Sequence, residues 1–171
     1  LVSALGLVPV PIEIDDAGPK PEATERALRS GLAAIVVTTR AQNPFGSALD
    51  ERRARELRGL LRTHPGTLVL EDDHGGSVAG APARTLCASG VERFAIVRSV
   101  SKALGPDLRV AFLACDEATL ALVKAIREVL QRRGYRVVTT RDSDVTVGLE
   151  ERSALANAAR ANVFLSIHCN A

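Results

Sequence analysis

A chain of 171 residues with 46% apolar and 25% charged positions can build one domain with a proper core, and a formal charge of +2 leaves no basic surplus for nucleic acid. Aromatics are 3% with no Trp or Met, so the core has to come from Leu, Val, Ala and Ile. The longest apolar runs are strand-length, which predicts no membrane span. The widely spaced Cys87, Cys115 and Cys169 fit neither a disulfide framework nor a paired metal site, so free thiols are expected.

In chain order, the opening "LVSALGLVPVPIEI" has no initial Met and no visible signal peptide, as an excised or engineered segment would read; the composition resembles that of cytoplasmic proteins. "LVPVPIEI" is strand-like, and "PEATERALRSG" predicts a helix with Pro at its start and Gly at its end. "AAIVVTT" predicts a β-branched strand. "LDERRARELRGLLRTHPG" is an amphipathic helix with a stripe of Ala54, Leu57, Leu60 and Leu61. "TLVLEDD" is a buried strand ending in acids, followed by a Gly/Ala-rich loop, "HGGSVAGAPARTLCASG", with room for one helical turn.

"RFAIVRS" and "RVAFLAC" predict strands flanking a lysine loop. A helix follows from Asp116 to about Arg133, with a stripe of Leu122, Ile126, Val129 and Leu130. The strand "YRVVTT", the helix "VGLEERSALANAARA" and the strand "NVFLSIHC" complete the alternation. Repeated strand–helix–strand units predict an α/β fold: a mostly parallel sheet with helices on both faces, a three-layer sandwich.

In open α/β sheets, ligands sit beyond the carboxyl ends of the strands. Three polar clusters fall there: "TTRAQNPFG", "EDDHGG" and "SVSK". They supply Asn43, the carboxylates Asp72 and Asp73, His74, the hydroxyls of Ser99 and Ser101, the Lys102 amine and the Arg109 guanidinium. Singly, N-P-x-G reads as a turn, the acids as a solvated strand end and the lysine as a surface charge. Together they suit a ligand with an aldehyde, a phosphate and a protonated ring nitrogen.

The order N-P-x-G, E-D-D, S-x-S-K and a following arginine resembles the large domain of fold-type I pyridoxal-phosphate (PLP) aminotransferases. It is most similar to the aminotransferase-like domain of MocR/GntR-type regulators, over residues 1–121. The resemblance implies that Lys102 holds the cofactor covalently. Asp72 would pair with the pyridinium nitrogen, and Asn43 would bond the phenolic oxygen. Arg109, with Ser99 or Ser101, would bind the phosphate. His74 stands where many relatives carry a tyrosine, and Phe45 replaces a small hydroxyl residue. Such sites often borrow residues from a second subunit, so a homodimer is the partner implied.

Residues 122–171 carry G-Y-R-V-V-x-T-R-D, L-x-x-R-x-x-x-A-N and S-I-H-x-N-A, and are similar to the middle of zinc-dependent N-acetylmuramoyl-L-alanine amidases. The resemblance implies a zinc-ligand position for His168 and scaffold positions for Arg141, Arg152 and Asn157. A catalytic zinc takes three protein ligands and an open position. "EDDHGG" echoes that family's first ligand loop but suits the PLP-like half better, and one histidine does not complete a zinc site.

The expectation is therefore a chimera. An aminotransferase-like segment would be joined to an amidase-like one continuing the same sheet, with residual PLP binding at Lys102 and neither catalytic set complete. The alternatives are a PLP-dependent enzyme or regulator domain, and a zinc amidase.

Overall fold

The computed structural model describes residues 6–105, 110–134, 136–137, 151, 154–155, 158–159 and 164–168. A short antiparallel pair, β1 (Ile14–Asp15) and β2 (Gly18–Pro19), precedes α1 (Pro21–Arg29) and β3 (Ala34–Val37). Then come α2 (Glu51–Arg62), β4 (Leu68–Asp73), a 3-10 turn (Gly76–Val78) and β5 (Phe94–Ser99). The short helix α3 (Ser101–Leu104), β6 (Val110–Cys115), α4 (Glu117–Arg132) and β7 (Phe164–His168) follow.

Strands β3 to β7 form one sheet in chain order. All neighbours are parallel except β5 and β6. The expected α/β class and mostly parallel sheet are thus present. The antiparallel step has a simple cause. Only residues 100–109 link β5 to β6, and a parallel return needs a dozen or more.

That reversal also decides which face each helix covers. Crossovers between parallel neighbours are right-handed, so when strand direction flips while the sheet keeps growing sideways, the next crossover lands on the opposite face. Accordingly, α1, α2 and the 74–93 segment pack on one face through Leu28, Ala54, Leu57, Leu61, Leu86 and Val91, against Ile35, Val37 and Val69. Helix α4 covers the other face, setting Leu120 and Val123 against Leu70, Ala95, Leu113 and Cys115. Cys115 is buried and Cys87 half-buried, neither in a disulfide, and Cys169 lies outside the described residues.

The helices begin where the sequence places caps. Asp50 accepts the backbone N–H of Arg53 at 2.6 Å to open α2, and Pro21 opens α1. Ahead of α4, Asp116 accepts from the backbone and hydroxyl of Thr119 at 2.9 and 2.6 Å, and from the backbone N–H of Phe94 at 2.7 Å. It caps the helix and fastens it to the start of β5.

Three expectations change. The strand-like run 7–14 keeps only Ile14–Asp15 as strand, because Pro9 and Pro11 have no N–H to offer a ladder, and Val8 and Val10 are exposed. The lysine loop holds the one-turn helix α3. On α4, Leu122 and Val129 of the expected stripe face outward, Leu120 and Val123 pack on the sheet, and the side chains of Ile126 and Leu130 lie outside the described residues. The predicted strand 135–140 and helix 147–161 lie outside the described residues but for scattered positions, as do Arg141, Arg152 and Asn157. Among the described residues, no helix is long and apolar enough to cross a membrane.

Candidate functional site

Because β3, β4 and β5 are parallel, all three end at one edge of the sheet. The loop after β3 carries Asn43, whose bond to Pro44 is cis. Asp72 sits near the end of β4, with His74 just beyond it, and β5 ends at Ser99 and leads directly into the helix bearing Lys102. The structure therefore gathers Asn43, Asp72, His74, Ser99 and Lys102 at one edge. The side chain of Ser101 and the whole of Arg109 lie outside the described residues.

Strand alternation splits the acids of "EDD". Glu71 and Asp73 face the α2 side of the sheet, and Asp72 faces the other. Asp72 is half-exposed, and its carboxylate lies 3.4 Å from Nδ1 of His74. Lys102 is exposed, and α3 packs against the 3-10 turn Gly76–Val78. Asn43 is exposed, with its backbone carbonyl accepting from Gln42 Nε2 at 2.7 Å, and Phe45 is open to solvent.

Beneath this edge lies a buried cluster that sequence reasoning missed. Asp73 is 2% exposed and meets Arg40 as a two-pronged pair, Nε and Nη2 each 2.8 Å from a carboxylate oxygen. Arg98 adds a third charged contact at 2.7 Å, and the backbone N–H of Gly76 a fourth at 3.2 Å. Burial acts to raise the Asp73 pKa, but the two guanidiniums outweigh it and hold the group below the usual carboxylate range. The signal was present in principle: register sets Asp73 opposite Arg98, both on one face.

Glu71, two residues earlier on the same face, has no cation beside it among the described residues. It accepts from the Thr85 hydroxyl at 3.0 Å and from the backbone N–H groups of Leu86 and Cys87. Here desolvation wins over those bonds and its pKa rises. Burial and the neighbouring Glu71 charge push the Cys87 thiol up as well, which keeps it an unreactive thiol.

His168 is placed apart. It closes β7, in register with Ala114, and β7 runs toward the edge away from Lys102. Three strand spacings, about 14 Å, and about 10 Å of strand rise separate its position from that of His74, so the two positions do not converge on one ion. Among the described residues, no group of three or more His, Cys, Asp or Glu could hold a metal.

The amine, carboxylate, amide and hydroxyl at the Lys102 edge suit a ligand offering a carbonyl carbon, a protonated ring nitrogen and several oxygens. Comparison with known proteins gives that chemistry a context. Residues 2–141 match the family model for aminotransferase class I and II, and residues 114–171 match that for N-acetylmuramoyl-L-alanine amidase. The vitamin B6 salvage pathway transcriptional repressor PtsJ of Salmonella typhimurium is 42% identical over 114 residues, 67% of this chain and 26% of the repressor. The endolysin of Bacillus phage SPP1 is 44% identical over 57 residues, 32% of this chain and 21% of the endolysin.

Among solved structures, an aminotransferase from Candida albicans superposes with TM-score 0.59 at 20% identity, over 75% of this chain and 32% of that one. The Pyrococcus horikoshii kynurenine aminotransferase in complex with PMP gives TM-score 0.59 at 22% identity, over 70% and 32%. These identities speak to the fold alone. The chain spans about a quarter or less of the curated relatives it matches, and about a third of the two solved structures.

Proposed function

The chain belongs to the aminotransferase class I and II family, a family of PLP proteins, and we propose on that premise that the Lys102 edge binds pyridoxal phosphate. The observation that carries this reading is the convergence of the ends of β3, β4 and β5, with Asn43, Asp72 and Lys102, on one edge. The donor types fit the cofactor group by group. Lys102 would hold its aldehyde carbon through the side-chain amine. Asp72 would retain the proton on the ring nitrogen by charge attraction. Asn43 would donate its amide N–H to the phenolic oxygen. Ser99 and Ser101 would contact the phosphate through hydroxyls, and Arg109 through its planar fork.

The bound cofactor supplies an electron sink for amino-acid chemistry. His74, 3.4 Å from Asp72, would bias the same carboxylate and orient it toward the ring. The Salmonella relative is a repressor of vitamin B6 salvage, which favours a binding role over turnover. The amidase-like stretch, in this reading, serves the sheet: α4 covers its second face and β7 extends it. The match of residues 114–171 favours a competitor for that stretch alone, with His168 as a zinc ligand.

Titrating PLP into the purified protein and into Lys102→Ala, then trapping with borohydride and mapping the adduct, tests the main reading. The expected result is a saturable visible band in the wild type, lost in the variant, with the adduct on Lys102. Equal, non-saturating labelling of both proteins would mean ordinary surface-amine chemistry and would end the proposal. Zinc retained through dialysis, with cleavage of a muramoyl-L-alanine amide, would replace the scaffold role of the second stretch.

A further inference from the structure

Asp73 has no place among the cofactor contacts, yet it bonds to residues beside Asn43 and Ser99 and to the turn beneath α3. Through Arg40 it holds the loop that reaches Asn43 three residues later. Through Arg98 it holds the end of β5, one residue before Ser99 and four before Lys102. It directly follows Asp72. Its Oδ1 also accepts the backbone N–H of Gly76, opening the 3-10 turn on which α3 rests. That turn lies tight against β5: Gly76 has φ +53°, and a Cβ there would sit 3.1 Å from the carbonyl oxygen of Ser99. Arg40 is fixed in turn, since its Nη1 donates to the carbonyl of Ala81 at 3.0 Å.

We infer that Asp73 is the positioning residue of the Lys102 edge, one buried carboxylate that ties three strand ends together and sets the spacing of Asn43, Asp72 and Lys102. A hub of this kind acts through geometry. A ligand that must meet an amine, a carboxylate and an amide together loses affinity when any of the three loops drifts. Asp73 faces the α2 side of the sheet and Asp72 the opposite side, so the hub fixes the site from behind without touching what binds there.

The ligand part of this inference rests on the PLP reading, so the test carries one arm that needs no cofactor. Asp73→Asn keeps the shape and removes the charge. Arg98→Gln releases only β5, at a side chain that is half-exposed, and serves if Asp73→Asn does not fold. Both are measured at a temperature where each protein is fully folded, so that loss of global stability alone leaves the Kd unchanged. PLP affinity is expected to fall about tenfold in Asp73→Asn, as for the loss of one charge-assisted hydrogen bond, and by less in Arg98→Gln. Amide hydrogen exchange should rise together in residues 41–46 and 99–104 of Asp73→Asn, and in 99–104 alone of Arg98→Gln.

A wild type with no Lys102 band would overturn the PLP reading and leave the exchange arm to decide whether Asp73 couples the loops. A normal wild-type band, with unchanged Kd and unchanged exchange in the variants, would overturn the inference and leave the PLP reading standing.

Discussion

Among the described residues, the two faces of the sheet bury different amounts of side chain. On the α2 side, ten buried residues make one continuous core, with Ala54, Leu57 and Val69 sealed from water. On the α4 side, Ala95, Leu113 and Cys115 are the buried cluster among the described residues, and at the β3 end of that face Val36 is 63% exposed. The contrast follows from the chain path. Three segments cross behind β3, β4 and β5, whereas on the opposite face α4 is the fully described covering helix. The candidate ligand groups Asp72 and Ser99 belong to the α4 face, while their support, Asp73, belongs to the α2 face. A site of that design places its rigidity behind the sheet and its access in front.

The largest test of this contrast is a matched pair of truncations. Leu57→Ala removes a side chain 1% exposed within the dense core and is expected to cost about 3–4 kcal/mol of unfolding free energy. Leu113→Ala, at 7% exposure in the small cluster, is expected near the lower end of the range for such changes, about 2 kcal/mol. Urea unfolding of both variants gives the difference. Equal costs would mean that the faces are equally packed in solution.

A smaller effect probes how the second face is fastened at all. Asp116 is the one side chain that both caps α4 and bonds the first residue of β5, so Asp116→Ala should lower stability by about 1 kcal/mol. Burial acts to raise the Asp116 pKa, but bonds from Thr119 and Phe94 hold it below the ordinary 3.8. Its contribution is therefore complete above that value and lost as pH falls through the lowered one. The deficit of Asp116→Ala against wild type should accordingly shrink in acid. A constant deficit from pH 7 to pH 2 would show that the cap bonds are not what the substitution removes.

How much of this was legible in the sequence depends on whether local pattern or long-range geometry sets each feature. The α2 stripe is written in a 3.6-residue period, and Ala54, Leu57 and Leu61 are buried as it predicts. The order of Asn43, Asp72 and Lys102 along alternating strands foretold a shared edge, because parallel strands must end together. Two members of the α4 stripe misled, because Leu122 and Val129 fit a helical period as well as Leu120 and Val123 do. Periodicity names a face and does not say which of two apolar flanks the sheet will take. Asp73 was read only as a carboxylate at a solvated strand end, and its buried pairing went unseen because register brings Arg98 opposite it while the β3 loop folds Arg40 onto it.

The finest contrast lies within the dense face, where Glu71 and Asp73 sit two residues apart with opposite shifts. Asp73 has two guanidiniums and is held low, while Glu71 has only neutral donors among the described residues and is pushed above its ordinary 4.5. The signs for stability follow. A carboxyl with a raised folded pKa binds its proton more readily folded than unfolded, so stability falls as pH climbs from about the ordinary Glu value through the raised one. A carboxyl with a lowered pKa contributes stability above the ordinary Asp value and loses it in acid. Glu71→Gln removes the first limb and leaves the second. Its urea midpoint should therefore gain on wild type as pH rises from 4 to 8, with both proteins weakening alike below pH 3.8. Gln keeps a carbonyl oxygen for the N–H groups of Leu86 and Cys87, so the 85–87 segment stays anchored while the buried charge disappears. A midpoint difference that does not change with pH would mean that Glu71 carries its charge in the folded protein at no cost, and that three neutral donors serve a buried carboxylate as well as two arginines do.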